Sequence, residues 1–332
     1  MKIALLGNNA LQFGKVFTPA VLDRLGTYGE LSGRIAKRDL DENAAFLSEC
    51  EIVFATWGMP VLKKAEIARY LPRLKAVFYA AGTVQYFARP FLECGVRVFS
   101  SPAANAVPVA EYAFAQITLA AKGYFQAAKF YHTLPLYSLI HANASPGLYD
   151  CKVGLVGLGA IGQAVAEKLQ TLPDVKVFAC DPFVSPERAE ELNVTLTDVE
   201  TLFRECDVIS NHLANKPELK NVFNARLFGL MKPHAVFINT GRGAQVSEGA
   251  LALSLLRHPS RTFVGDVIKR EYFPYINPLF WCPNAVLTPH IAGSTGNEPQ
   301  RMAYWMIEEL ERYLADKPVR YEVTAQMLEY MA

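Results

Sequence analysis

Three stretches in the second half of the chain carry groups suited to moving a proton on a small anion. In "FINTGRGAQ", Arg242 follows an apolar run and stands between Gly241 and Gly243. Its planar guanidinium fork suits bidentate contact with a carboxylate. In "FVGDVIKRE", Asp266 ends the next apolar run and Glu271 follows it. In "AVLTPHIAGST", His290 comes directly after a third run. An imidazole exchanges protons near neutral pH, and a carboxylate beside it would hold the ring. Each residue has a plain alternative. Arg242 suits a surface ion pair, loop glutamates are usually solvated, and a lone histidine is more often structural than catalytic. What shifts the reading is that the three follow successive apolar runs. In open α/β sheets, ligands bind outside the carboxyl ends of the strands. The remaining histidines, His132, His141, His212, His234 and His258, show no metal-ligand spacing, so no metal site is expected.

A second constellation precedes these. "VGLVGLGAIGQAVAEKL" holds Gly157, Gly159 and Gly162 as G-x-G-x-x-G, straight after an apolar strand and opening a helix at Ala160 and Ile161. Gly157 permits a tight turn, Gly159 lets backbone approach a pyrophosphate, and Gly162 lets the helix pack closely. The helix N-terminus offers unpaired N–H groups to the phosphates. The next strand, "VKVFAC", ends at Asp181, placed to hydrogen-bond the ribose hydroxyls of NAD and to repel the extra phosphate of NADP. The residues that follow, Pro182 and Phe183, supply no arginine for that phosphate. NAD is the expected cofactor.

The elements that must position these groups follow an α/β pattern. In the first hundred residues, "KIALL", "EIVFATW", "KAVFYA" and "VRVFS" read as buried parallel strands, with helical segments at "TPAVLDRL", "DENAAFL" and "LKKAEIARYL". A long helical pattern covers residues 108 to 132, with Pro108 and Glu111 suiting its first turn. An aromatic connection follows, with Tyr131, Tyr137 and Tyr149. Those rings suit either packing on the next domain or an arm buried against a second subunit. From Lys152 a second series runs "KVGLVG", "VKVFAC", "DVIS", "AVFIN", "TFVGDV" and "AVLT". Near the end, Met302, Met306, Ile307, Leu310 and Leu314 fall on one helical face, with Asn297 as its cap and Pro299 in its first turn.

Bulk properties narrow the function classes. The 332 residues suit about two domains. Residues are 51% hydrophobic and 20% charged, and the net charge of +1 has no like-charge block, so neither nucleic acid nor an anionic membrane is an expected partner. No run approaches the roughly 18 apolar residues of a spanning helix. The opening apolar run is too short for a secretory signal. Six dispersed cysteines read as free thiols of a cytoplasmic protein.

Together these motifs resemble the D-isomer-specific 2-hydroxyacid dehydrogenase family. The matching stretches are "AAGT" at 80–83, "NAVPVAE" at 105–111, "GLGAIG" at 157–162, Asp181, "NTGRG" at 239–243, "DVIKRE" at 266–271 and "TPHIAGST" at 288–295. The resemblance implies two doubly wound parallel-sheet domains. A Rossmann cofactor domain (residues 101–296) is inserted into a flavodoxin-like substrate domain (1–100 plus 297–332), with the active site in the cleft between them. It also implies that Arg242, Glu271 and His290 are catalytic. Hydride would pass between the nicotinamide and C2 of a small 2-oxo or 2-hydroxy acid. Arg242 would bind the carboxylate, Glu271 would support His290, and His290 would be the acid/base. Thr240, Asp266 and Gly293 join the cofactor contacts. Trp57, Ala81, Gly82, Thr83 and Asn105 join Arg242 and His290 as substrate contacts, with N–H groups around 81–83 forming a nest. A homodimer through the cofactor domain is expected.

The chain departs from the family pattern in places. Tyr272 stands where proline usually follows the glutamate, the loop "REYFPYINPLFW" is unusually aromatic, Gln85 replaces a common aspartate, and "NHLANKPELKN" lacks the usual proline. In "ATWGMP", Trp57, Gly58 and Met59 offer apolar surface where phosphoglycerate-type members tend to carry an arginine, which points to an uncharged or apolar 2-oxo acid. Two other readings are open: a non-enzymatic, NAD-sensing, corepressor-like protein, and a family enzyme for a one-carbon or inorganic substrate.

Overall fold

A computed structural model describes residues 1–329. The chain divides into two compact units, Met1–Asn105 with the residues from Ser294 on, and Ala106–Gly293. The division expected from the sequence stood at 100/101 and 296/297, and residues 330–332 of that first domain lie outside the described residues. The first crossing falls within the helix Pro102–Ala121.

The first unit holds strands β1 (Lys2–Leu6), β2 (Glu30–Ile35), β3 (Cys50–Ala55), β4 (Ala76–Tyr79) and β5 (Arg97–Ser100). Their order is β5-β4-β3-β1-β2, all parallel, with Glu322–Val323 added antiparallel beside β5. This is the flavodoxin-like order. The four inner strands are almost continuously buried, as a sheet covered on both faces requires. Phe54, Phe78 and Phe99 are in register on β3, β4 and β5 and stack in a row, with centroids 5.2 and 4.7 Å apart. The helix Pro299–Leu314 sets Met302, Met306, Ile307 and Leu310 into this core. Leu314, expected on the same face, is 48% exposed. The residue preceding the helix is Glu298, not the expected cap Asn297, and the Glu298 carboxylate instead accepts the Thr295 N–H.

The second unit is a seven-stranded parallel sheet: β6 (Lys152–Val156), β7 (Lys176–Cys180), β8 (Thr195–Leu196), β9 (Val208–Asn211), β10 (Val236–Asn239), β11 (Thr262–Gly265) and β12 (Ala285–Leu287). The order β8-β7-β6-β9-β10-β11-β12 reverses direction between β6 and β9. That is the doubly wound dinucleotide-fold order, and the reversal marks where a ligand crevice opens. Separate apolar clusters cover the two faces. One includes Val153, Leu155, Val165 and Leu169, and the other is built on Phe203, Phe223, Phe228, Phe237 and Phe263.

Strands β2 and β8 had no counterpart in the sequence reading. Both are edge strands with exposed residues, so neither shows an apolar run. The long helix begins at Pro102, which leaves Pro108 inside it rather than in its first turn. It ends before Gly123, whose left-handed φ of 66° turns the chain into Tyr124–Phe130 and then Pro135–Ala144. All six cysteines are free, and burial pushes the thiols of Cys50, Cys151 and Cys206 up to about 12, out of nucleophile range. No helix among the described residues is long and apolar enough to cross a membrane. Among those residues no His/Cys/Asp/Glu group could hold a metal ion.

Candidate active site

The glycine cradle sits at the carboxyl end of β6, beside the strand-order reversal. Each glycine answers a separate steric demand. Gly157 has φ 94°, and a Cβ there would press on the His212 backbone at 3.0 Å. A Cβ on Gly162 would fall 2.0 Å from the Gly157 carbonyl oxygen, so the helix Ala160–Leu169 packs on the loop only without one. Over Gly159 there is open space, with no atom within 4 Å of a Cβ. Gly159 precedes the helix, and no side chain caps its N-terminus. Open backbone and uncapped N–H groups at one point fit a pyrophosphate.

Asp181, just past β7, ties this loop down. Its Oδ2 accepts the Leu158 N–H at 2.7 Å, and its Oδ1 accepts those of Phe183 and Val184 at 2.8 and 3.2 Å. Oδ2 carries one bond and keeps acceptor capacity for a ribose hydroxyl. The residues present therefore fit a dinucleotide.

Arg242, Asp266 and His290 follow β10, β11 and β12, three neighbouring strands, at their carboxyl ends. The structure joins two of the three expected catalytic residues directly: Glu271 Oε2 lies 3.0 Å from His290 Nδ1. Both are substantially exposed. Arg242 is exposed on the adjoining strand end, and its Nη1 donates to its own Gly241 carbonyl at 2.8 Å.

His290 has φ 56°, in the left-handed region that few residues with a side chain occupy, histidine more readily than most. Asp266 holds it there. Its carbonyl accepts the His290 N–H at 3.0 Å. Its carboxylate accepts Thr288 Oγ1 at 2.6 Å and the Ile291 and Ala292 N–H groups at 2.8 Å each. Asp266 was expected to contact cofactor, but its side chain is turned into the fold, only 2% exposed. Both oxygens hold the histidine loop. Thr240 is also turned inward, its hydroxyl donating to the Asn211 carbonyl at 3.3 Å. Gly293 is half-buried and closes the second unit.

Two residues that sequence reasoning missed set the Glu271 loop. Buried Glu248 accepts the Lys269 N–H at 2.6 Å, and Asn277 donates to the Lys269 carbonyl at 3.2 Å. Both sides of Lys269 are thus held, two residues before Glu271. Burial raises the pKa of Glu248, against the pull of the Lys269 N–H. Arg270, with φ 59°, then turns the chain. Nothing in the local pattern "VSEGALAL" distinguishes Glu248 from an ordinary first-turn acid. Past Glu271 the aromatic loop stands open, with Tyr272 92% exposed.

The expected substrate contacts of the first unit differ in their surroundings. The Ala81 N–H donates to the Tyr79 carbonyl at 2.9 Å, so it is not part of an anion nest and only Gly82 and Thr83 are left for that role. Met59 is 2% exposed and belongs to the core, which corrects the expectation that it offers apolar surface. Trp57 is half-buried against the same core. Asn105 accepts the Ser294 N–H at 3.3 Å and the Ser294 hydroxyl at 2.8 Å.

Fold and cradle define the second unit as a dinucleotide-binding domain. Residues 120–292 match the NAD-binding domain of D-isomer-specific 2-hydroxyacid dehydrogenases. A D-3-phosphoglycerate dehydrogenase of Synechocystis is 32% identical over 229 residues, covering 69% of this chain and 41% of that protein. A glyoxylate reductase of Thermococcus litoralis is 31% identical over 257 residues, covering 74% of this chain and 75% of that one. The NAD-complexed D-isomer-specific 2-hydroxyacid dehydrogenase of Lactobacillus delbrueckii ssp. bulgaricus shares the fold, with a TM-score of 0.78 at 21% identity over 98% of this chain and 100% of that chain. The chain belongs to the D-isomer-specific 2-hydroxyacid dehydrogenase family. It spans 41–52% of the length of the first phosphoglycerate dehydrogenases it matches.

Proposed function

We propose that the chain is an NAD-dependent 2-oxoacid reductase, run in reverse as a D-2-hydroxyacid dehydrogenase. The observation that carries this is the 3.0 Å contact between Glu271 and His290 at the strand edge that also bears Arg242. When bound, the reduced nicotinamide supplies a hydride to C2. Arg242 then holds the substrate carboxylate and polarises the oxo group. Glu271 engages Nδ1 of His290, which leaves Nε2 to deliver a proton to the oxygen as negative charge develops there. Hydride and proton together convert C=O to CH–OH, and oxidation reverses both transfers. The exposed aromatic side chains beside Glu271, Tyr272 among them, favour a substrate uncharged beyond its carboxylate. A panel of 2-oxo acids, phosphorylated and not, tests the reading through loss of NADH absorbance. Turnover is expected with an apolar member. Tight NADH binding without turnover on any member would overturn it in favour of a non-enzymatic NAD-binding role.

The reading extends to assembly and location. On Pro135–Ala144, Leu136, Leu139 and Ile140 are exposed, as are Tyr131 and Tyr149 around it, while Tyr137 bonds inward to Gln126. Exposed apolar faces of this kind mark interaction sites, and the partner inferred for this one is a second copy of the chain. Light scattering is expected to give twice the chain mass, and a monomer would refute it. Free, mostly buried thiols suit the reducing cytoplasm.

A further inference from the structure

Beneath the Arg242 loop lie three buried carboxamides, Asn211 at the end of β9, Asn239 at the end of β10, and Gln245. Asn211 Nδ2 donates to Asn239 Oδ1 at 2.8 Å and to Gln245 Oε1 at 2.7 Å. Each amide then reaches main chain. Asn239 Oδ1 accepts the Gly241 N–H at 3.2 Å, and its Nδ2 donates to the carbonyls of Arg242 and Val267 at 3.4 and 3.3 Å. Gln245 Oε1 accepts the Arg242 N–H at 3.2 Å, and its Nε2 donates to the carbonyls of Leu213 and Ala214 at 3.3 and 2.8 Å. Asn211 Oδ1 accepts the Leu213 N–H at 3.0 Å. Asn239 and Gln245 thus use both amide hydrogens and both carbonyl lone pairs. The amides press directly on the loop: a Cβ on Gly241 would meet Asn211 Nδ2 at 2.6 Å and Gln245 Oε1 at 2.7 Å.

We propose that Asn211, Asn239 and Gln245 are positioning residues that fix the backbone of Arg242 and tie it to the Leu213–Ala214 segment, and so set how firmly Arg242 grips the substrate carboxylate. The proposal rests on the reading of Arg242 as the carboxylate-binding residue. Arg242 is exposed, and its own loop is short, so its aim depends on what holds its N–H and carbonyl. Both are held by carboxamide side chains, with the Gln245 N–H adding a 3.2 Å bond to the same carbonyl. A fully satisfied buried network has one low-energy arrangement, and removing one member leaves the others unpaired.

The test compares Gln245→Leu, Asn211→Leu with Gln245→Leu, and Arg242→Lys with and without Gln245→Leu, all on the full chain. In Gln245→Leu the KM for the best 2-oxo acid is expected to rise tenfold or more, while NADH affinity from fluorescence titration stays within twofold. In the Asn211→Leu/Gln245→Leu pair, which removes the Asn211 amide hydrogen that the single variant leaves unpaired, the thermal midpoint should recover in part and the raised KM should not. That split separates positioning from packing, and the pair also serves if the single variant folds poorly. In the Arg242→Lys background, Gln245→Leu should change KM less than twofold. An unchanged KM in Gln245→Leu, a KM that recovers along with the midpoint, or a full additional effect in the Arg242→Lys background would overturn the network's role. An unchanged KM in Arg242→Lys itself would instead overturn the reading of Arg242, and the proposal with it.

Discussion

At the scale of single residues, His290 owes its place to a backbone that few side chains adopt. Its φ of 56° is held by Asp266 from below and its ring by Glu271 from the side. The two carboxylates divide the work: the buried one fixes the loop, the exposed one meets the imidazole. A hydrogen bond to a charged group is worth roughly 1.5–3 kcal/mol, which is about ten- to a hundredfold in rate. Glu271→Gln is expected to lower kcat by that factor and to leave NADH affinity unchanged. Steady-state kinetics beside a fluorescence titration check it, and an unaltered kcat would remove Glu271 from the proton-transfer step. The placement of Arg242, Glu271 and His290 past the carboxyl ends of neighbouring strands was legible in the sequence, because each follows an apolar run. Asp266 was legible as a residue but not in its role, because sequence does not show which way a strand-end carboxylate turns.

At the scale of elements, the carboxyl ends of β10, β11 and β12 bring residues from 242 to 290 to one edge. Apolar runs marked the inner strands, so those were readable. The edge strands β2 and β8, which carry no continuous apolar run, were not. The helix start at Pro102 was obscured because a second proline, Pro108, also suits a first turn, although Ser101 and Pro102 offered the same signal six residues earlier. Close backbone approach was half-legible, since the glycines stood out and their neighbours did not. Gly243 is the sharpest case. A Cβ there would lie 2.2 Å from the Ile268 carbonyl carbon and 2.5 Å from the Lys269 nitrogen. Gly243→Ala must push the Arg242 loop from the segment that leads to Glu271. A loss of about 1–3 kcal/mol is expected, read by denaturant unfolding, together with reduced kcat/KM. A variant of wild-type stability would show that the two segments part freely.

At the scale of the whole molecule, the two units were legible from two βα series, and the glycine fingerprint identified the second as the cofactor unit. Its stability carries a pH signature. Burial pulls the pKa of His212 down to about 4 and lowers that of His141, whose ring lies 5.6 Å from that of His234. In the folded chain both rings take up a proton at lower pH than in the unfolded chain, where histidine titrates near pH 6.5. Their contribution is complete above that pH and is lost as pH falls; for His212 the loss runs down to about pH 4 and is on the order of 3 kcal/mol. The thermal midpoint should therefore drop between pH 7 and pH 5, and less so in His212→Gln; an equal drop in that variant would assign the effect elsewhere. The central claim is that this chain reduces a 2-oxo acid with His290 as proton donor. It is tested most directly by measuring kcat for NADH-dependent reduction in the wild type and in His290→Ala. The account predicts a fall of roughly a hundredfold to ten-thousandfold, with NADH affinity retained. A variant that turns over at the wild-type rate would contradict it.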